Sequence, residues 1–372
     1  MILVRSLTFL CKYSCILIIF KPTTKVVINL INMVYNSYRI LGGYRALLAT
    51  LVLISHTSMW LPSWVGPLAL GNVGVLSFFV LSGFVIAEAC DVFYPGAPLR
   101  FLINRFLRIF PTYWAACLVA IIVYNIYPHS DFNSNAYAIF ANFSIVLAER
   151  LPSDELRLIS VIWAVGIELR FYVAIAILDY IDRFASSIRI VRPGQILFTA
   201  GVIFQLVYFY TWSTDFSHFV VMRHAPFFVL GFTYYRWLRY RQKATFWFVI
   251  LGLLISIHSY SAYNSPYGWS ISTLYTTLAF VLSLTLFAGL SRISKFSRTW
   301  ERLDKRLGEL TYALYLVHWP IVYAIDSSGV DGYLAFSLTF FISVIITILL
   351  ILGVERPLFR WRDSIRRTRL YW

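Results

Sequence analysis

Ten apolar runs separated by short polar gaps constrain this chain more than any other feature. They lie at about 40–61, 72–90, 112–128, 160–181, 195–210, 218–238, 245–260, 270–290, 308–326 and 333–354. Most approach the roughly 20 residues that an α-helix needs to cross a hydrocarbon layer about 30 Å thick. Several are shorter, which implies bent helices or incomplete crossings. One soluble core cannot absorb this much apolar surface. The chain is 59% hydrophobic and 13% charged, with a mean hydropathy of +0.72, whereas a soluble domain is about half apolar and a quarter charged. In lipid every backbone N–H and C=O must be paired internally, and runs of this length do that as helices. The expected fold is all-α and polytopic, with about ten transmembrane helices.

Charge then orients the spans. The net charge of +15 would suggest nucleic acid in a soluble chain. Here the basic residues fill every second gap. Arg100, Arg105 and Arg108 lie in 91–111, Arg183, Arg189 and Arg192 in 182–194, and Arg239, Arg241 and Lys243 in 239–244. Six more lie in 291–307, and six follow Val354. The alternate gaps 62–71, 211–217, 261–269 and 327–332 hold no Lys or Arg, and 129–159 holds only Arg150 and Arg157 among several acids. Ten spans with both termini in the cytoplasm satisfy the positive-inside rule at every gap, and eleven break it. The bilayer is the expected partner, and nucleic acid is not.

Three segments fall outside this pattern. Residues 1–38 hold two short apolar runs, neither long enough to span nor followed by a small-residue cleavage site. They read as an interfacial extension, or as sequence upstream of a start at Met33. The run 136–148 is too short to cross and is expected at the surface. Residues 361–372 form a basic cytoplasmic tail, leaving 39–360 as the membrane domain. The four cysteines, Cys11, Cys15, Cys90 and Cys117, make no C-x-x-C pair and have no His at metal spacing, so neither a disulfide framework nor a metal site is expected.

Ionisable side chains inside spans are costly and therefore informative. Glu88, Asp179, Arg236, His258, Glu309 and Asp326 lie near span ends, where the charge reaches water. Arg45 and His56 do not. They are eleven residues apart on the first span, close to three helical turns, so both side chains share one face about 16 Å apart along the axis. Glu168 lies about 12 Å into the fourth span from its outer end. That depth resembles the depth of His56, so the carboxylate could orient the imidazole. Alternatively, Glu168 neutralises Arg223 or Arg170. His224 and His318 are also buried in spans, and the sequence gives them no role.

Read together, these residues resemble acyltransferase family 3, the integral-membrane O-acyltransferases of bacterial surface polysaccharides. Arg39-Ile-Leu-Gly-Gly-Tyr-Arg-Ala resembles the family's opening, and Arg45 to His56 reproduces its R-x10-H spacing. Gly74-Val-Leu-Ser-Phe-Phe-Val-Leu-Ser-Gly-Phe is similar to the second-span signature, and Arg105 with Arg108 forms the R-x-x-R pair of the following loop. Trp163-Ala-Val-Gly-Ile-Glu-Leu-Arg-Phe-Tyr resembles the block that carries the family's glutamate. Leu307-Gly-Glu-Leu-Thr-Tyr through His318-Trp-Pro resembles the ninth-span signature, and Glu355-Arg-Pro closes the series. Each motif is weak alone; six in order are specific. There are three departures: the acid usual in the opening is absent, with Gly42 and Gly43 standing there, Ala164 replaces a Ser, and Arg170 stands where Gln is common.

The resemblance implies a multi-pass protein of the bacterial inner membrane. It implies transfer of an acyl group, usually acetyl, from acyl-CoA to a hydroxyl of a carbohydrate at the outer face, as in lipopolysaccharide or exopolysaccharide O-acetylation. Arg105 and Arg108, on a cytoplasmic loop, would hold the phosphates of CoA, and Arg45 the next part of the donor. His56 would be the general base and Glu168 its orienting partner. No Ser or Cys nucleophile with a matched base stands out, which favours direct transfer over an acyl-enzyme. Tyr260, Tyr263, Tyr267 and Trp269 in an outer gap could stack on a sugar or simply mark the interface. The rival reading is a transporter or flippase of a lipid-linked sugar, although the halves show no convincing repeat.

Overall fold

The structure, a computed structural model, describes residues 41–127, 136–148, 151, 157–187, 220–240, 271–293 and 297–367. The extension 1–38, the expected spans 195–210 and 245–260, and the aromatics at 260–269 lie outside the described residues. So do Cys11 and Cys15, whereas Cys90 and Cys117 are free and buried. The described residues are helical, with no strand among them. In chain order the helices are α1 (Leu41–His56), α2 (Leu70–Glu88), α3 (Pro98–Ile126), α4 (Ala136–Phe143), α5 (Ile145–Ala148), α6 (Ile162–Ser187), α7 (Val220–Tyr240), α8 (Ile271–Leu290), α9 (Arg298–Ser327), α10 (Gly332–Leu350) and α11 (Arg356–Arg367). One wide π-type turn, Ala89–Phe93, ends α2, and another, Ile351–Glu355, joins α10 to α11.

Polarity is turned inside out relative to a soluble bundle. On α10, Thr339, Ser343 and Thr347 are fully buried, while Phe341, Ile345 and Leu349 are 63%, 57% and 61% exposed. On α3, Ala116, Cys117 and Ala120 face inward, and Leu118, Ile122 and Ile126 face out. A helix that hides hydroxyls and displays Phe, Ile and Leu is stable only against lipid. By length and composition, Gly66–Phe93, Pro98–Ile126 and Gly332–Ile365 can each cross a bilayer, and Leu41–His56 and Leu274–Leu290 are shorter apolar helices.

Side-chain contacts fix the relative directions. Helices α1 and α9 run parallel and in step. The Gly42 N–H donates to Asp304 Oδ2 at 3.0 Å near one end, and His56 meets His318 at 2.9 Å near the other, both across 262 residues of sequence. Helix α2 runs against α1, with Gly71 beside Ser55 and Gly74 beside Leu48. Helices α2 and α6 are parallel, joined by Ser82 to Glu168 and then by Cys90 to Arg183. Helix α7 follows the same sense, with Phe79 on Phe228 and Asp91 on Tyr235, and so does α8, with Ser77 on Ser283 and Phe84 on Phe287. Helix α3 is parallel to α9 through Ile109–Tyr312 and Tyr124–Tyr323. The chain beyond α10 returns along α3, bringing Glu355 to Thr112 and Arg362 to Asn104. Alternating apolar runs require these directions.

Helices α2 and α7 touch backbone to backbone. A Cβ on Gly83 would lie 1.9 Å from the Phe228 carbonyl oxygen, and one on Gly231 would lie 1.8 Å from that of Val80. Small residues at such crossings let helices approach until dispersion contacts replace the absent hydrophobic drive. At the end where the basic gaps lie, Arg183 Nε donates to Asp179 at 2.7 Å and its Nη2 donates to the Cys90 carbonyl at 3.0 Å, pinning α6 to the end of α2.

Two expectations need correction. Arg105 and Arg108 are on a helix, not a loop, because α3 begins at Pro98, fourteen residues before the apolar run at 112. Proline is well suited to a first helical turn, and the periodic Phe101, Asn104 and Arg105 keep the segment helical as it leaves the lipid. For the same reason α9 begins at Arg298, ahead of the apolar run at 308. A boundary in hydropathy marks the edge of the lipid, not the end of the helix.

Candidate active site

The site grows from the seam between α1 and α9. At its basic end the Gly42 and Gly43 N–H groups donate to the two carboxylate oxygens of Asp304, at 3.0 and 2.7 Å. These are amides of a first helical turn, which has no acceptor within the helix. A carboxylate also suits the positive end of the helix dipole. A Cβ on Gly42 would sit 1.9 Å from the Asp304 carbonyl oxygen. The glycine at this departure from the family pattern is therefore what lets α9 come close, and α9 brings an acid to it.

Beside this seam lies a chamber of about 870 Å3 at the end of the bundle where the basic gaps gather. Arg45, Arg105, Arg108, Arg302, Lys305 and Arg362 line it. Acids line it too, but several are already engaged. Asp304 binds α1, Glu355 accepts from the Thr112 hydroxyl at 3.1 Å, and Glu309 lies 3.9 Å from Lys305. Among the described residues, no carboxylate lies within ion-pair distance of Arg45, Arg105, Arg108 or Arg362. Nε of Arg105 and Nε of Arg362 are buried and bond to no described group. Arg105 is only 8% exposed, with its guanidinium 5.2 Å from the Phe101 ring and 5.4 Å from the Tyr172 ring. Stacking holds the fork in place without using its N–H donors, a geometry suited to receiving an anion.

The chamber narrows inward to a cavity of about 100 Å3 that shares Arg45, Arg105, Arg108 and Tyr312 with it. Glu168 is the carboxylate of this inner cavity. Its Oε1 accepts from Ser82 Oγ at 2.5 Å and from Tyr172 Oη at 2.5 Å. The cavity ends against Phe78 and Tyr315, whose rings meet edge to face at 6.4 Å, and the Tyr315 hydroxyl is tied to the Val161 carbonyl at 2.8 Å.

Immediately beyond Tyr315, 6.0 Å away between ring centroids, lies His318. His318 Nε2 is 2.9 Å from His56 Nδ1, and His318 Nδ1 is 3.1 Å from the Leu314 carbonyl. Trp319 meets His56 edge-on at 5.2 Å. Pro320, two residues on, withdraws the N–H that would otherwise bond the Leu316 carbonyl, loosening α9 next to the pair. His56 is partly buried, with the rings of His318 and Trp319 against it.

The structure brings Arg45, Arg105, Arg108 and Glu168 to one continuous space and places His56 beyond its inner wall. It does not bring Glu168 to His56. The carboxylate bonds to Ser82 and Tyr172, and the imidazole bonds to His318. The expected orienting contact is thus made by a different residue, because equal depth in the membrane does not mean the same side of the bundle. Two site residues escaped sequence reasoning. Arg362 counted only as part of a basic tail, and nothing linear links it to Arg105. His318 was visible as a buried histidine in the ninth-span motif, eight residues before the end of its run at 326, close to the five that separate His56 from 61. Matching those depths was the available signal. Among the described residues, no group of three His, Cys, Asp or Glu is placed to hold a metal.

A polytopic helical membrane protein with a cationic chamber, an inner carboxylate and a pair of hydrogen-bonded imidazoles, one buried and one partly buried, is the class that fold and site define. The sequence model of one family, described as an acyltransferase domain, matches residues 39–356. The chain belongs to that family, acyltransferase family 3, and is a membrane acyltransferase. No curated protein and no solved structure matches it.

Proposed function

We propose that this acyltransferase moves an acyl group, usually acetyl, from acyl-CoA onto a hydroxyl of a carbohydrate at the outer face of the bacterial inner membrane. One observation carries the reading: arginines with no carboxylate partner line a chamber on the basic side, and that chamber narrows to a cavity whose inner wall, Tyr315, stands between it and the His318–His56 pair. Ten spans with both termini cytoplasmic complete the proposal. The shared direction of α6, α7 and α8 supports this reading.

In this reading Arg105, Arg108 and Arg362 hold the phosphates of the donor, and Arg45 stands where the pantetheine arm enters the narrow cavity. Glu168, held by Ser82 and Tyr172, accepts an amide N–H of that arm. The thioester passes the Phe78–Tyr315 edge and reaches His56. The acceptor hydroxyl arrives from the other side, gives its proton to His56 and attacks the thioester carbonyl carbon. The tetrahedral intermediate expels the CoA thiolate, which takes the proton back from the imidazolium to leave free CoA and the ester.

The test is thioester loss by the purified protein with candidate glycan acceptors. Turnover is expected to saturate in acyl-CoA. The double variant Arg105→Ala, Arg108→Ala is expected to raise the KM for the donor by about 10- to 100-fold, the scale of one or two charge-assisted hydrogen bonds. Sugar translocation without thioester loss would overturn the proposal in favour of a carrier, and an unchanged KM would remove the two arginines from the donor site.

A further inference from the structure

His318 bears directly on the base. A neutral imidazole carries one N–H and one lone pair, and which nitrogen carries the proton depends on its partners. The chain of contacts here fixes both rings. A backbone carbonyl can only accept, so the 3.1 Å contact to Leu314 makes His318 Nδ1 the donor. The lone pair of neutral His318 is then on Nε2. That atom lies 2.9 Å from His56 Nδ1, which must donate to it. His56 is left with its lone pair on Nε2, the nitrogen farther from the backbone, with no hydrogen-bond partner among the described residues. The two rings are 11° from parallel with centroids 5.1 Å apart, offset as an edge-to-edge N–H···N bond requires.

We infer that His318 is a positioning residue that holds His56 in the Nδ1–H tautomer, so that Nε2 is the proton-accepting atom toward the acceptor hydroxyl. The inference rests on the reading of His56 as general base. Sequence reasoning gave the orienting task to Glu168, and the geometry gives it to a second histidine. When His56 Nε2 takes the hydroxyl proton, the Nδ1–H bond to His318 becomes charge-assisted and shorter, steadying the cation without moving a second proton. Removing His318 frees His56 to rotate and to populate the Nε2–H tautomer, which offers the hydroxyl a proton instead of a lone pair. The arrangement also explains the register of α1 and α9. The Gly42–Asp304 contact at one end and the histidine contact at the other share a single offset, so the amide cap at the mouth sets where the two rings meet.

The experiment compares four proteins in the membrane-embedded full chain: wild type, His56→Ala, His318→Leu and His318→Gln. Gln places an amide oxygen near the position of Nε2 and can still accept from His56 Nδ1–H, whereas Leu cannot. His318→Leu is expected to lower kcat by about 10- to 100-fold, the usual scale for loss of an orienting partner, with KM for acyl-CoA unchanged. His318→Gln is expected to recover most of that loss. Nitrogen NMR of 15N-histidine protein is expected to show His56 protonated at Nδ1 in wild type and His318→Gln, and at Nε2 in a large fraction of His318→Leu. Wild-type kcat in His318→Leu, beside an inactive His56→Ala, would overturn the positioning role alone. So would His318→Gln as inactive as the Leu variant at equal membrane level. Full turnover by His56→Ala would instead remove the base on which the inference stands.

Discussion

Arg105 shows how one side chain can be read for function. A buried guanidinium without a counter-ion is expensive, and proteins retain one where a ligand completes it. Its neighbours Phe101 and Tyr172 shield the faces of the fork and leave the N–H edge open to the chamber. Glu168 is the complementary case, a carboxylate deep in the same space and already bonded to two hydroxyls. Glu168→Gln keeps the shape and weakens the acceptor, so the KM for acyl-CoA is expected to rise by about tenfold, the difference between a charged and a neutral hydrogen bond. Steady-state kinetics at varied donor concentration measures this, and an unchanged KM would take Glu168 out of the donor's path. The alignment of Arg45 with His56 was legible in the sequence because both lie on one helix, where spacing fixes the angle as well as the height. The partners of Glu168 and His56 were not, because helical rise gives depth in the membrane and says nothing about which helices are neighbours.

At the scale of helices, two contacts hold the framework of the site. The first is the Gly83–Gly231 crossing of α2 and α7, where any side chain meets backbone. Gly83→Val is expected to destabilise the protein by about 1–3 kcal/mol, the usual penalty for overpacking, or to separate the helices outright. Thermal unfolding in detergent measures the loss, and a variant as stable as wild type would contradict the close crossing. The second is the carboxylate of Asp304 on the first amides of α1. Asp304→Ala removes two hydrogen bonds to a charged acceptor, each of the class worth about 1.5–3 kcal/mol. Its unfolding temperature is therefore expected to fall clearly, and more than that of Asp304→Asn, which keeps one acceptor. The positions of the membrane helices could be read from hydropathy, but their lengths could not. Helices α3 and α9 continue beyond the lipid on amphipathic sequence, and those extensions carry Arg105, Arg108 and Asp304 to the chamber. The small residues at the crossings were visible as glycines, yet only the packing shows which of them bear a contact.

For the molecule as a whole, the alternation of basic and non-basic gaps gave the directions of the helices, and every described pair agrees with it. The turn between α9 and α10 is expected outside and the start of α9 inside. In intact cells a membrane-impermeant maleimide is expected to label Ser328→Cys and to spare Arg298→Cys until the membrane is opened. The reverse pattern would invert the whole account, because the cationic chamber would then face away from cytoplasmic acyl-CoA. Both positions are exposed, so access and not burial decides the result.

The central claim is that the arginine-lined mouth and the His56 imidazole are two ends of one path, the first for binding and the second for chemistry. Measuring acyl-CoA binding and acyl transfer side by side in purified His56→Ala tests it most directly. The account predicts donor affinity within about twofold of wild type, because binding resides in the chamber, together with loss of transfer. Transfer at the wild-type rate in that variant would contradict it.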